Sequence, residues 1–149
     1  MPRLELTFPE GTMSDEIKAE LPARMAETML EWEGAPDTQF FRSISWTHLH
    51  ELPPAAMHTA DGRAKDSQFI VDVTVPDGAL SDRRRAGLVK DLTALIVDAA
   101  GLAPEDAIRV WVIVNEVPEG NWGAGGQIVQ FEQLREAAKA ERAKSEAPA

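Results

Sequence analysis

Apolar and polar residues alternate twice along this chain, and each alternation stops at the same kind of turn. Leu4, Leu6 and Phe8 alternate with Arg3, Glu5 and Thr7, and Val71, Val73 and Val75 alternate with Asp72 and Thr74. A period of two predicts a strand with one buried face. Each strand runs into a proline, an acidic residue and a glycine (Pro9-Glu10-Gly11 and Pro76-Asp77-Gly78). Ser14 and Ser81 then stand where a helix needs an N-cap, each followed by an aspartate that the helix dipole favours. The period becomes helical in Ile17, Leu21, Met25 and Met29, and again in Leu88, Leu92, Leu95, Ile96 and Ala99. Pro22 is expected to kink the first helix or delay its start. Gly34 and Gly101 occupy C-cap positions, each followed shortly by a proline. Second strands are expected over Arg42 to Leu52 and Ala107 to Val117, the latter nearly all apolar, as suits a strand covered on both faces.

These two stretches are one pattern repeated. Placing Leu4 to Gly34 over Val71 to Gly101 gives eight identities in 31 positions, and five of them, from Thr7 to Asp15, cluster at the strand-to-helix junction. That clustering marks an internal repeat. Each repeat reads as strand, helix, strand with a crossover long enough for parallel pairing. The fold class is therefore α/β (α+β in some schemes): a four-stranded sheet with two helices on one face. The expected organisation is a single domain over 1–127, made of repeats 2–53 and 68–127 with a linker over 54–67. A short strand and a helical or disordered tail follow over 128–149. The uncovered sheet face calls for a partner, most simply other copies of the same chain.

Composition narrows the function. The chain has 149 residues, 44% hydrophobic and 27% charged, with no cysteine, so disulfides and thiolate chemistry are excluded. A formal charge of −10 disfavours nucleic acid and anionic membrane surfaces as partners. The cluster Arg83-Arg84-Arg85 is read as a solvated helix face. No apolar run is long enough to span a bilayer and no secretory signal is visible, so a cytoplasmic location is expected. His48, His50 and His58 offer no third ligand at metal-binding spacing and are read as structural.

The segments FIVDVTVPDGALSDRRRAGL and GLAPEDAIRVWVIVNEVPEGNWGAGG, and above all the NWGxGG hairpin at Asn121 to Gly126, resemble the tautomerase superfamily. The likeness is to its fused members, which carry two βαβ units of the 4-oxalocrotonate tautomerase type, and covers about residues 2 to 127. It implies a homotrimer, no cofactor and no metal, and a small carbonyl or 2-oxo acid substrate. It also implies catalysis by Pro2, whose secondary amine is free once Met1 is removed. Burial of that amine would bring it into the range of a general base. The matching position in the second repeat is Phe69, so one site per chain is expected.

Other residues follow the resemblance less closely. Arginines that members place after the first strand of each unit are missing, since those positions read Pro9-Glu10-Gly11-Thr12 and Pro76-Asp77-Gly78-Ala79-Leu80. The paired arginines of malonate semialdehyde decarboxylase and of cis-3-chloroacrylic acid dehalogenase are absent with them. So is the dehalogenase's helix histidine, where Met29, Leu30 and Glu31 stand. Arg109 matches the second-strand arginine of the short tautomerases counted forward from Ala103-Pro104, and Trp111 matches it counted backward from Glu116. Arg42 is taken as the counterpart in the first half. These three and Trp122, the hairpin aromatic, are the candidate substrate-binding residues. Asp37 lies in a loop like that of the decarboxylase's water-activating aspartate but is read as a loop residue. Alternatives to a tautomerase are a decarboxylase or hydratase of the same superfamily, or a non-catalytic trimeric binding protein.

Overall fold

The computed structural model describes residues 1–146. β1 (Arg3–Pro9) leads into α1 (Asp15–Glu33), a short helix α2 (Gln39–Ser43) and β2 (Trp46–Leu52). A small ladder of β3 (His58–Thr59) and β4 (Gly62–Arg63) occupies the connecting segment. β5 (Phe69–Pro76), α3 (Asp82–Ala99) and β6 (Val110–Val117) repeat the first pattern. A second ladder, β7 (Gly123–Ala124) with β8 (Gln127–Ile128), then leads into α4 (Phe131–Glu146).

The main sheet has the order β2-β1-β5-β6. β1 pairs parallel with β2 and β5 parallel with β6, while β1 and β5 meet antiparallel in the centre, Leu6 opposite Val71. The helix starts agree with the capping signals. The hydroxyl of Ser14 accepts from the Ile17 amide at 3.3 Å, and that of Ser81 from the Arg84 amide at 3.4 Å. Pro22 sits inside α1 without delaying its start. Gly34 ends the helix at φ +69°, a left-handed conformation that glycine adopts without a Cβ penalty.

The repeat extends to single bonds. Glu10 N–H donates to Leu52 C=O and Asp77 N–H to Val117 C=O, both at 2.9 Å. The indoles of Trp46 and Trp111 donate to Ser43 C=O and Ile108 C=O, both at 3.2 Å. Both second strands begin later than their apolar runs suggest. Arg42 belongs to α2, which Thr38 caps by accepting from the Phe41 amide. Residues Pro104–Arg109 form a 3₁₀ turn, with proline at its first position, where its fixed φ and missing N–H cost nothing.

Leu4, Leu6, Phe8, Val71, Val73 and Val75 are fully buried, against Leu21, Met25 and Met29 of α1 and Leu88, Leu92 and Ile96 of α3. Side chains of this size contribute about 1.5–3 kcal/mol each when fully buried, so this layer holds the fold together. The opposite sheet face is not the continuous apolar surface that the strand pattern suggests. Trp46 and Trp111 are 60% and 62% exposed near its edges and Ile113 is 42% exposed, while Arg3, Glu5 and His50 interact on it.

α1 and α3 lock through Trp32. A Cβ on Gly87 would lie 2.1 Å from the Trp32 ring, so only glycine lets the indole lie there and donate to Asp91 at 2.8 Å. Alanine at position 87 improves helix propensity by about 1 kcal/mol but overpacks the contact at a cost of about 1–3 kcal/mol and displaces the indole hydrogen bond. Gly87→Ala is expected to lower stability by about 1–2 kcal/mol in urea unfolding. A stabilised variant would show that Trp32 does not hold this contact.

Candidate functional site

Pro2 is buried at the start of β1, where its C=O accepts from Trp46 N–H at 3.1 Å and anchors the strand against β2. The antiparallel β1–β5 register sets Arg3 opposite Thr74, so Pro2 lies beside the turn that follows β5. A cavity of about 650 Å³ opens here, lined by Pro2, Ile44, Trp46, Thr74, Asn121 and Trp122. The hairpin carrying Trp122 turns through Gly125 and Gly126 at φ +59° and +79°, the handedness a tight two-residue hairpin requires. Trp122 is fixed from behind by an edge-on contact with Phe131, ring centres 6.5 Å apart.

Met1 lines this cavity and also a second, smaller one of about 260 Å³ beneath α4. Glu33, Arg84 and Arg135 are among the residues around the second. Burial holds the Met1 amine below its ordinary value, with Glu33 opposing the shift. Burial likewise pushes the Glu33 carboxyl above the usual carboxylate range, against the pull of the amine. The chain terminus is thus a poorly hydrated amine beside a poorly hydrated acid.

Among the candidates named from the sequence, Pro2 and Trp122 share one cavity. Arg109 and Trp111 line a different one, of about 700 Å³, with Phe69 and Ile70 at the N-terminal ends of β5 and β6. Because β1 and β5 run antiparallel, this is the other end of the sheet from Pro2. Arg109 is paired there with Asp106 at 2.8 Å and Asp66 at 3.5 Å. Arg42 borders a groove with Pro22, Glu27 and Thr47 and is held by Glu27 and, bidentately, by Asp37 at 2.5 and 2.8 Å. The same bonds hold the Asp37 carboxyl below its ordinary range. Arg42 is not the structural counterpart of Arg109 either. Trp46 pairs opposite Arg3 as Trp111 does opposite Ile70, so the second strands match at an offset of 65, which places Ile44 against Arg109.

Sequence reasoning missed Glu33, Arg84 and Arg135. Arg84 is exposed, as expected of the cluster, and also reaches the end of α1, where it donates to Glu33 C=O at 3.2 Å. Arg135 stands on α4, a segment too polar overall to suggest a docked helix. The signal was the spacing of Phe131, Leu134 and Ala138, one face of a helix, and these three line the second cavity. Phe131 is 4% exposed, and its amide donates to the Glu119 carboxylate at 3.1 Å, which ties the start of α4 to the loop before the hairpin. Residues 147–149 of the expected disordered tail lie outside the described residues.

The histidines also differ from expectation. Glu5, on the strand beside them, brings a carboxylate oxygen to His48 and His50, and the three ligand atoms lie within 4.8 Å of one another. A ladder partner supplies what spacing along one strand could not. Among the described residues no helix is long and apolar enough to cross a membrane.

Residues 70–132 match the family model described as tautomerase enzyme. Most of the chain superposes on solved fused 4-OT structures. The second repeat thus resembles the tautomerase family, and the chain shares the fold of fused, double-βαβ tautomerases. One similar structure is Pt0534, solved after inactivation by 2-oxo-3-pentynoate, at 21% identity and a TM-score of 0.72 over 89% of this chain and 98% of that one. Another is a fused 4-OT solved as a wild-type symmetric trimer, at 17% identity and a TM-score of 0.72 over 89% and 98%. A third, N1, a member of the cis-3-chloroacrylic acid dehalogenase family, aligns at 20% identity and a TM-score of 0.72 over 98% and 92%. At these identities the likeness carries the fold. Among curated proteins, none matches this chain.

The pH dependence of stability tests the burial of Glu33. A carboxyl raised in the folded state contributes stability below its unfolded value, and that contribution is lost as pH rises through the folded value. Glu33→Gln removes the penalty of holding a buried carboxylate. The variant is therefore expected to gain progressively on the parent protein in urea unfolding as pH rises above the ordinary carboxyl value of 4.5. A difference that stays constant with pH would mean that Glu33 is solvated.

Proposed function

We propose that this protein is a tautomerase in which the Pro2 amine, freed by removal of Met1, moves a proton on a small 2-oxo acid or related carbonyl compound. The observation that carries this reading is the position of the chain terminus: buried, beside Trp122, where two cavities meet. Desolvation already lowers the amine of Met1, and Pro2 lies deeper. A neutral secondary amine there takes a proton from the carbon next to the substrate carbonyl, giving the enol or enolate. The resulting ammonium then returns a proton to a different atom. Trp122 supplies an apolar wall.

Charge for a substrate carboxylate comes, on this reading, from Arg84 and Arg135. They take the place of the arginines missing from the turns at residues 9–12 and 76–80. Neither has an ion pair among the described residues, unlike Arg42 and Arg109. Arg109 and Trp111 approach a proline only across a subunit boundary. We further propose a homotrimer of about 49 kDa, three times the 16.3 kDa chain, with the face bearing Trp46, Trp111 and Ile113 covered by neighbours. A similar fused 4-OT forms a symmetric trimer.

Pro2→Ala is expected to lower kcat/KM for phenylpyruvate ketonisation by about 10²-fold or more while leaving the circular dichroism spectrum unchanged. Unchanged kinetics would remove Pro2 from the mechanism. Arg135→Ala is expected to raise KM for phenylpyruvate about ten- to hundredfold, the value of one charge-assisted bond, and to leave its methyl ester nearly unaffected. Equal losses for acid and ester would make Arg135 a support for α4. A selective loss in Arg109→Ala instead would place the anion site across the subunit boundary.

A further inference from the structure

Glu5 on β1 and His48 and His50 on β2 project from the sheet face that the helices leave open, the face that the proposed trimer places at its subunit boundaries. Residues two apart on a strand point to the same side, and Glu5 is the ladder partner of His48, so the three meet by register. Their ligand atoms all lie within 4.8 Å. The His50 Nε2 to Glu5 Oε1 distance is 3.3 Å. Two ligands bound at 2.0–2.1 Å to a tetrahedral ion stand about 3.3 Å apart, so this pair already has the spacing of a ligand edge. The His48 ring is exposed, has no hydrogen bond among the described residues, and stands edge-on to His50 with ring centres 6.4 Å apart. The other oxygen of Glu5 accepts from Arg3 at 2.9 Å, which fixes the carboxylate and turns Oε1 toward the imidazoles.

The arrangement is particular to the first repeat. Asp72, Ile113 and Asn115 hold the matching places in the second, where no imidazole is present. The repeated fold alone therefore does not produce the cluster. It also stands apart from Pro2, three residues away along an extended strand, about 10 Å.

We propose that Glu5, His48 and His50 bind one divalent first-row transition-metal ion, with Zn²⁺ as the reference case, leaving at least one coordination position open. Two imidazoles and one carboxylate suit such an ion better than Mg²⁺ or Ca²⁺, which prefer oxygen ligands throughout. Binding requires the imidazole nitrogens to be unprotonated, so it weakens as pH falls.

Isothermal titration of the metal-free protein with Zn²⁺, with histidine ring signals followed by NMR, tests this directly. The expected result is one ion per chain, with the ring signals of His48 and His50 perturbed and that of His58 unchanged. Affinity should fall about tenfold or more in His48→Gln, His50→Gln and Glu5→Gln, and between about pH 7.5 and about pH 5.5. His58→Gln, in the linker, should bind as the parent does. Absence of binding, or affinity retained in all three ligand variants, would overturn the proposal. Should a variant fail to fold, the ring signals of the parent protein decide between site and ion pair.

Discussion

Antiparallel pairing between β1 and β5 is the contact that turns two βαβ units into one molecule. Each unit alone has a two-stranded sheet and one helix, too little to bury Leu4, Leu6, Val71 and Val73 completely. Joined, they share one core between sheet and helices. The same pairing is antiparallel, so it sets the start of the first unit against the end of the second unit's first strand. That geometry brings Pro2 to the turn after β5 and, through β6, to the hairpin of Trp122, with Met1 reaching the cavity lined by Arg84. A site formed by both repeats follows from the joining of the sheet.

Such a site can differ at its two ends, and it does. Pro2 follows Met1 at the start of β1, whereas the matching Phe69 lies within the chain, so on the proposed reading only one end offers an amine. α4 adds to the difference, since it packs over the Pro2 end and brings Arg135 there. The cavity beneath α4 combines Glu33 and Asp77 with Arg84, Arg135 and Arg142. Arg142 also donates to Gly34 C=O, tying the helix to the end of α1. With three arginines and a carboxyl that burial favours in its neutral form, the lining of this cavity is locally basic although the protein as a whole is strongly acidic.

Most of the fold could be read from period and capping. The alternation from Leu4 to Phe8 and from Val71 to Val75, the caps at Ser14 and Ser81 and the glycines at 34 and 101 mark elements that the structure contains. Long-range pairing was less accessible. The offset between repeats changes from 67 to 65 between the helices and the second strands, and that slip led to Arg42 being matched with Arg109. Three features depend on neighbours that no local pattern names. Arg42 is neutralised by Glu27 from another helix, the two histidines gain Glu5 from the adjacent strand, and α4 docks through one aromatic and an otherwise polar face. Pro2 and Trp122, named from local signals at the Met-Pro start and the NWGxGG hairpin, line one cavity.

The central claim is that burial makes the terminal proline a base that is neutral near physiological pH. The direct measurement is the titration of the Pro2 amine, by ¹⁵N NMR on protein whose intact mass shows Met1 removed, set beside the pH profile of kcat/KM. A free α-amino group titrates near about 8, and the account predicts a value below that, with the same value governing the acidic limb of the profile. An amine titrating at or above about 8, or a profile that ignores it, would contradict the account.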